Sequence, residues 1–366
     1  MKAAILEQQG QPVVIDDVDI AGPGYGEVSV AVHYCGLCHS DLSIMDGVFP
    51  SEVPIVLGHE AAGVVEEVGP GVTDLAAGDH VILSPVPPCG VCYGCLRGEP
   101  GTCTNVSGIM THAFKDGRTG LSRDGRRVLR GVGVAAFAER VVTLASGAVK
   151  IDRDIPLDVV CVIGCAVQTG VGAVLNTARV EAGATVLVMG LGGIGLSIVQ
   201  GARLAGASRI IASDPIADRR AAATRMGATD SIDPASDDLI GRVMEITGGI
   251  GADYAFDAVG RSALIEAGVW ATRSGGTTVC VGAAPIDEAI SIAPAALFTL
   301  AEKKLLGCAL GSCNSLRDIP RLVALWQAGR LDFEGLITSR RPLSEINDAA
   351  ADMRAGRGIR TVMRIS

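Results

Sequence analysis

From residue 1 to about 110 the apolar positions fall in short runs, among them EVSVAVHY (27–34), AAGVVEEVG (61–69) and DHVILSPV (79–86), each bounded by Gly, Pro or Asp. Short runs with this punctuation predict a β-rich region. Between 104 and 131 polar residues dominate without clear periodicity, which predicts a long surface loop with turns at Asp116-Gly117 and Asp124-Gly125. After about 158 the pattern changes. The runs ATVLVMG, RIIASD, YAFDAVG and TTVCVGA read as buried strands, and they alternate with helical stretches such as GLSIVQGARLAGA and DRRAAATRMGA. That alternation predicts βαβ units around a parallel sheet. Beyond about 310 the chain is mixed again, with helical patterns in DIPRLVALWQAG and LSEINDAAADMRAG. The order is a β-rich part, an inserted α/β part, and a return to the first part.

Composition narrows the function classes. The chain has 366 residues, enough for two domains. Hydrophobic residues make up 48% and mean hydropathy is +0.39, yet no apolar run approaches the ~18 residues of a membrane span. The N-terminal stretch MKAAILEQQGQPVVIDD turns polar early and lacks a secretory cleavage pattern, so a cytoplasmic location and no membrane partner are expected. A net charge of −9, with no basic run longer than Arg126-Arg127 or Arg340-Arg341, argues against nucleic acid as a partner. The 11 cysteines are an odd number in a chain without a secretory signal, which points to metal rather than a disulfide framework.

Three motifs carry chemistry. The first, Gly190-x-Gly192-x-x-Gly195, follows an apolar run and precedes a helical pattern, with Gly193 and Ile194 between its last two glycines. These glycines allow a tight turn, backbone approach to a pyrophosphate and close helix–strand packing. Asp214 ends the next strand, where a carboxylate accepts the adenosine ribose hydroxyls and repels a 2′-phosphate, so NAD is favoured over NADP. Arg219 lies one helical turn later. The second motif, Cys89-x2-Cys92-x2-Cys95-x7-Cys103, brings four thiols to one centre and predicts a closed, structural zinc site. An iron–sulfur cluster is the competing use, although the spacing differs from common ferredoxin runs. The third stretch, HYCGLCHSDLS (33–43), holds Cys35-x-x-Cys38 followed by His39 and Ser40. It reads as a redox pair, a zinc knuckle, or one part of a site assembled from distant pieces.

Gly58-His59-Glu60-x2-Gly63-x5-Gly69, taken with Cys38-His39-Ser40-Asp41, the four-cysteine lobe, GCAVQTGVGAV around Cys165, the nucleotide fingerprint and GRGIRTVMRI near the end, makes a resemblance specific. Over nearly its whole length the chain resembles the zinc-dependent alcohol dehydrogenases of the medium-chain dehydrogenase/reductase superfamily. The resemblance implies an α/β fold in which a GroES-like β-rich catalytic domain (1–166, with a zinc lobe at 85–110, and 310–366) carries an inserted Rossmann domain with a doubly wound parallel sheet (167–309). It implies two zinc ions per subunit, one structural and one catalytic, the latter held by Cys38, His59 and Cys165. Ser40 then takes the alcohol proton, Asp41 orients His59, and Glu60 is the carboxylate near the metal. Thr169 packs by the nicotinamide, backbone groups from Val281 to Ala283 hold its carboxamide, and His39 and Arg360 face the pyrophosphate. The implied reaction is reversible hydride transfer between NAD and an alcohol, primary and medium-sized or aromatic, and its aldehyde or ketone, in a homodimer.

Two positions depart from that family. Many relatives end the proton relay on a histidine three residues past the relay serine, where this chain has Ser43, so His39 or water is expected to finish it. In the substrate pocket Pro85 replaces a large aromatic, and Phe49 and Gly108 take other wall positions. A thiol-dependent formaldehyde dehydrogenase acting on an S-hydroxymethyl adduct is the alternative reading, although Ser107 stands where glutathione-dependent members carry an arginine. A nucleotide-binding protein without catalysis is a further alternative. His33, His80 and His112 read as surface or packed residues, Cys35 as a bystander thiol, and Cys161, Cys280, Cys308 and Cys313 as small core residues.

Overall fold

A computed structural model describes residues 1–366, which form two compact units, one from 1–168 and 313–366 and the other from 169–312. The changeovers lie a few residues beyond the expected 166 and 309. No single helix is long and apolar enough to cross a membrane.

The first unit is built around the strand Glu27–Gly36, whose alternating Val28, Val30 and Val32 are fully buried. Glu60–Val68, Arg140–Leu144 and the C-terminal strand Arg360–Arg364 all pair with it antiparallel. The register sets Gly36 opposite both Glu60 and Val362, so the sequence-distant Arg360 strand arrives beside the chain that leads to Cys38.

The segment 104–131 corrects the expected loop. Helix Ser107–Thr111 lies in it, followed by a hairpin of Leu121–Arg123 with Arg126–Arg130. Asp124 and Gly125 sit at φ 50° and 71°, the left-handed pair that a two-residue hairpin turn needs, so the Asp-Gly signal marks a hairpin, not a loop bend. The strands flanking it are too short and too basic to read as strands from their pattern.

The second unit is a six-stranded, all-parallel sheet. Its spatial order is Asp230–Ile232, Arg209–Ser213, Thr185–Met189, Ala252–Asp257, Thr272–Cys280, Lys304–Gly307. Numbered along the chain this is 3-2-1-4-5-6, the doubly wound order whose strand ends form a dinucleotide crevice. Leu187, Met189, Ile211 and Ala255 fill its core against Val243. Cys161 and Cys313 are buried as expected of small core residues, but Cys280 and Cys308 are only half-buried. The reason is position, since Cys280 ends its strand opposite Gly307 on the edge strand and Cys308 follows at once.

Candidate active site

Cys38 stands just before helix His39–Met45, and its N–H donates to Asp41 Oδ2 at 3.1 Å, which closes the first turn. The other oxygen of Asp41 accepts the Gly58 N–H at 2.9 Å and lies 3.2 Å from His59 Nδ1. Asp41 therefore joins the Cys38 turn to the Gly58-His59 turn, and an Nδ1–H donated to it leaves His59 Nε2 as the lone-pair nitrogen. Cys165 arrives between the turn Cys161–Gly164 and the helix that begins at Ala166.

The Sγ atoms of Cys38 and Cys165, His59 Nε2 and a Glu60 oxygen lie within 4.8 Å of one another. His59 Nε2 is buried without a hydrogen-bond partner, a costly state for an acceptor unless a cation takes its lone pair. The two sulfurs crowd each other. A hydrogen bond from Cys165 holds the Cys38 thiol well below the usual range, and the same bond, with burial, pushes Cys165 well above it. Two thiolates and an imidazole converging this way fit a zinc ion with one open position.

Glu60 is wholly buried. Its Oε1 accepts the Ala166 N–H at 3.2 Å, and its Oε2 lies 3.5 Å from Arg360 Nε. Burial pushes the carboxyl up to about 8 against the pull of Arg360. A divalent cation among the neighbouring sulfurs would lower it again. Gly36 leaves room for this carboxylate, since a Cβ on it would stand 2.4 Å from Glu60 Oε2 and force the side chain to shift. Arg360, expected to face a pyrophosphate, is 4% exposed and donates from Nη1 to the Leu37 carbonyl at 2.7 Å. The Glu60–Arg360 pairing was not foreseen from sequence. Its only signal is a charged residue opening each of two strands that flank one neighbour.

Ser40 Oγ is 3.8 Å from Cys38 Sγ, His39 is exposed, and Ser43 is half-buried. In the lobe, the four sulfurs of Cys89, Cys92, Cys95 and Cys103 also lie within 4.8 Å of one another. Backbone N–H groups point at them, from Cys92 to Cys89 Sγ at 3.3 Å and from Cys89 and Asn105 to Cys103 Sγ at 3.4 Å. Such donors favour thiolate: the backbone N–H groups of Cys95 and Thr104 bring Cys92 down to about 6, while burial lifts Cys103 to about 12. Four sulfurs facing one centre suit a closed zinc site.

In the second unit Gly193 and Ile194 open the helix Gly193–Ala205. A Cβ on Gly195 would lie 1.7 Å from the Gly190 carbonyl oxygen, whereas one on Gly192 would meet nothing within 4 Å. The turn is closed on its inner side and open on the side where a pyrophosphate would approach. Asp214 is buried, accepting the N–H of Leu191 and of Ile216 at 2.8 Å each, and Arg219 Nη1 lies 3.9 Å from it. Thr169 Oγ1 is buried and unpartnered. Val281 gives its N–H to the Asp257 carbonyl at 2.9 Å, so only its carbonyl remains for a carboxamide.

A thiol–imidazole cluster in one unit and a dinucleotide fold in the other define a zinc-binding dehydrogenase. The alcohol dehydrogenase GroES-like domain family matches residues 24–153, and the zinc-binding dehydrogenase family matches 193–327. An NDMA-dependent alcohol dehydrogenase of Amycolatopsis methanolica is 38% identical over 364 residues, 99% of this chain and 98% of the relative. Among solved structures, an alcohol dehydrogenase zinc-binding domain protein from Burkholderia ambifaria superposes with TM-score 0.94 at 36% identity, covering 100% of this chain and 98% of that one. Benzyl alcohol dehydrogenase from Acinetobacter calcoaceticus gives TM-score 0.94 at 32% identity, covering 100% and 99%. The chain belongs to the zinc-dependent alcohol dehydrogenases of the medium-chain dehydrogenase/reductase superfamily.

Proposed function

We propose that this protein is an NAD-linked zinc alcohol dehydrogenase that interconverts a primary alcohol, medium-sized or aromatic, with its aldehyde. The convergence of Cys38, His59 and Cys165 on one buried point, with the Ser40 hydroxyl beside it, carries the reading. Zinc held by those three residues supplies Lewis acidity that eases loss of the alcohol proton, and NAD supplies the hydride acceptor. Ser40 takes the proton from the substrate hydroxyl, and exposed His39 or water carries it onward, since Ser43 stands where the relay would otherwise end on a histidine. Asp41 fixes the ring of His59, while Glu60 and Arg360 balance the charge behind the ligands. Gly190, Gly192, Gly195 and Asp214 hold the dinucleotide, Thr169 offers its hydroxyl near the nicotinamide, and Cys89, Cys92, Cys95 and Cys103 hold the structural zinc.

The small Pro85 and Gly108 at wall positions support a roomy pocket, in keeping with the benzyl alcohol activity in the name of one structural relative. The Amycolatopsis relative's dependence on NDMA supports a second reading, in which an acceptor other than free NAD completes turnover. Lys304–Gly307 is an edge strand, and the nearby Leu297 and Leu300 are 52% and 80% exposed, which supports pairing of nucleotide domains in a homodimer.

The deciding experiment follows NADH with ethanol, hexanol, benzyl alcohol and a secondary alcohol, each with and without NDMA, and with formaldehyde plus a thiol. NADH formation from benzyl alcohol and NAD alone is the expected result. Turnover only with NDMA selects the second reading, and activity only with formaldehyde and thiol overturns both.

A further inference from the structure

Arg130 is a buried cation that its surroundings do not neutralise. It is 4% exposed, and its Nη2 donates to the Val142 carbonyl at 2.9 Å. Its guanidinium lies 3.7 Å from the centroid of the Phe114 ring. A ring face and one carbonyl serve few of its five N–H donors. Glu27 is the carboxylate whose charge acts on it, but the Glu27 oxygens accept Arg118 Nη2 at 2.7 Å and the Gly24 N–H at 2.8 Å. Burial accordingly drives the guanidinium down to about 9, with Arg118 adding repulsion.

Beside this cation lies a cavity of about 30 Å³. Its lining includes two cations, Arg130 and Lys115, and no carboxylate; the Asn105 amide and the Thr143 hydroxyl add polar groups that can donate. A space of this size admits one or two waters or one halide and no organic ligand. Water would leave the charge uncompensated, whereas an anion would offset it and accept hydrogen bonds from the guanidinium.

We propose that the cavity behind Phe114 binds one monovalent inorganic anion of halide size, chloride in physiological media, as the counter-ion of Arg130. The ion ties together three separate pieces of chain: the 105–115 segment, the hairpin strand Arg126–Arg130 and the strand Arg140–Leu144. The cavity lining includes no cysteine of either cluster, but it shares Pro85 and Gly108 with the wall of the proposed substrate pocket, and the test below reads stability rather than turnover so that the two readings can fail separately.

The test compares thermal unfolding of the zinc-loaded protein in sodium chloride and in sodium gluconate at equal ionic strength, which holds screening constant. Chloride is expected to raise the midpoint by about 2–4 °C per tenfold increase above its dissociation constant. Arg130→Met abolishes the difference between the two salts, and Thr143→Val, a milder change, reduces it if Arg130→Met does not fold. Bromide-soaked crystals should show an anomalous peak beside Arg130. Equal midpoints in the two salts, an undiminished chloride response in either variant, or bromide found only as an adventitious ion at surface residues would each overturn the proposal.

Discussion

Asp41 and His59 are both almost inaccessible to solvent, and Asp41 Oδ1 stands 3.2 Å from His59 Nδ1 while also accepting the Gly58 N–H. The contact orients a proposed metal ligand through a residue that touches neither metal nor substrate. Asp41→Ala is expected to weaken zinc binding at the Cys38–His59–Cys165 site about 10- to 100-fold, with Asp41→Asn recovering part of the loss. Titration with a competing chelator measures it, and unchanged zinc affinity in Asp41→Ala would refute the role.

The four-cysteine lobe should release its ion without disturbing the other cluster. Cys92→Ser is expected to lower zinc content from two ions per chain to one and the unfolding midpoint by roughly 5–10 °C. Metal analysis beside calorimetry reads both, and two ions retained at full stability would exclude a structural site at Cys89, Cys92, Cys95 and Cys103.

Asp214 spends one oxygen on Leu191 and the other on Ile216, which presents the carboxylate at the end of its strand. Asp214→Ala is expected to lower kcat/KM for NAD about 10- to 100-fold and to raise the value for NADP, a change of about 1.4–2.7 kcal/mol for the former. If the ratio of the two cofactors stays constant, Asp214 does not select between them.

Asp257 supplies the pH dependence. It is fully buried at the end of Ala252–Asp257, accepts the N–H of Val259 at 3.1 Å and of Gly260 at 2.9 Å, and is pushed up by burial to about 6. A carboxyl whose folded pKa exceeds its unfolded value favours the fold while protonated. Its contribution is complete below about pH 4, declines as pH rises to about 6 and is absent above that, a swing of about 3 kcal/mol. Asp257→Asn should lose this slope, so that wild-type stability minus that of the variant falls as pH rises over 4–7 in urea unfolding. A difference curve that is flat across that window, or that rises with pH, would contradict the assignment.

Elements whose signal is local were legible in the sequence. The apolar runs around Leu187, Ile211 and Phe256 are buried on both faces and fold as the central parallel strands, and the glycine fingerprint lies where a strand meets a helix. The cysteine lobe is equally local. The 104–131 region was misread because its hairpin strands are short, basic and held by pairing rather than by an apolar face. Glu60 with Arg360 and Arg130 over Phe114 were invisible for another reason. Each depends on which strands become neighbours, and no spacing along the chain encodes that.

The proposed ligands at positions 38, 59 and 165 belong to three separate pieces of chain, in contrast to the compact run from 89 to 103. An ion bound across them would act as a clasp, closing loops far longer than the lobe's at a correspondingly larger cost in chain entropy. Such a clasp can fasten only after all three pieces have reached their native places. A lobe of neighbouring thiols could take a metal early, on the growing chain, whereas a centre at Cys38, His59 and Cys165 would have to wait for the fold, its occupancy then a seal of correct folding.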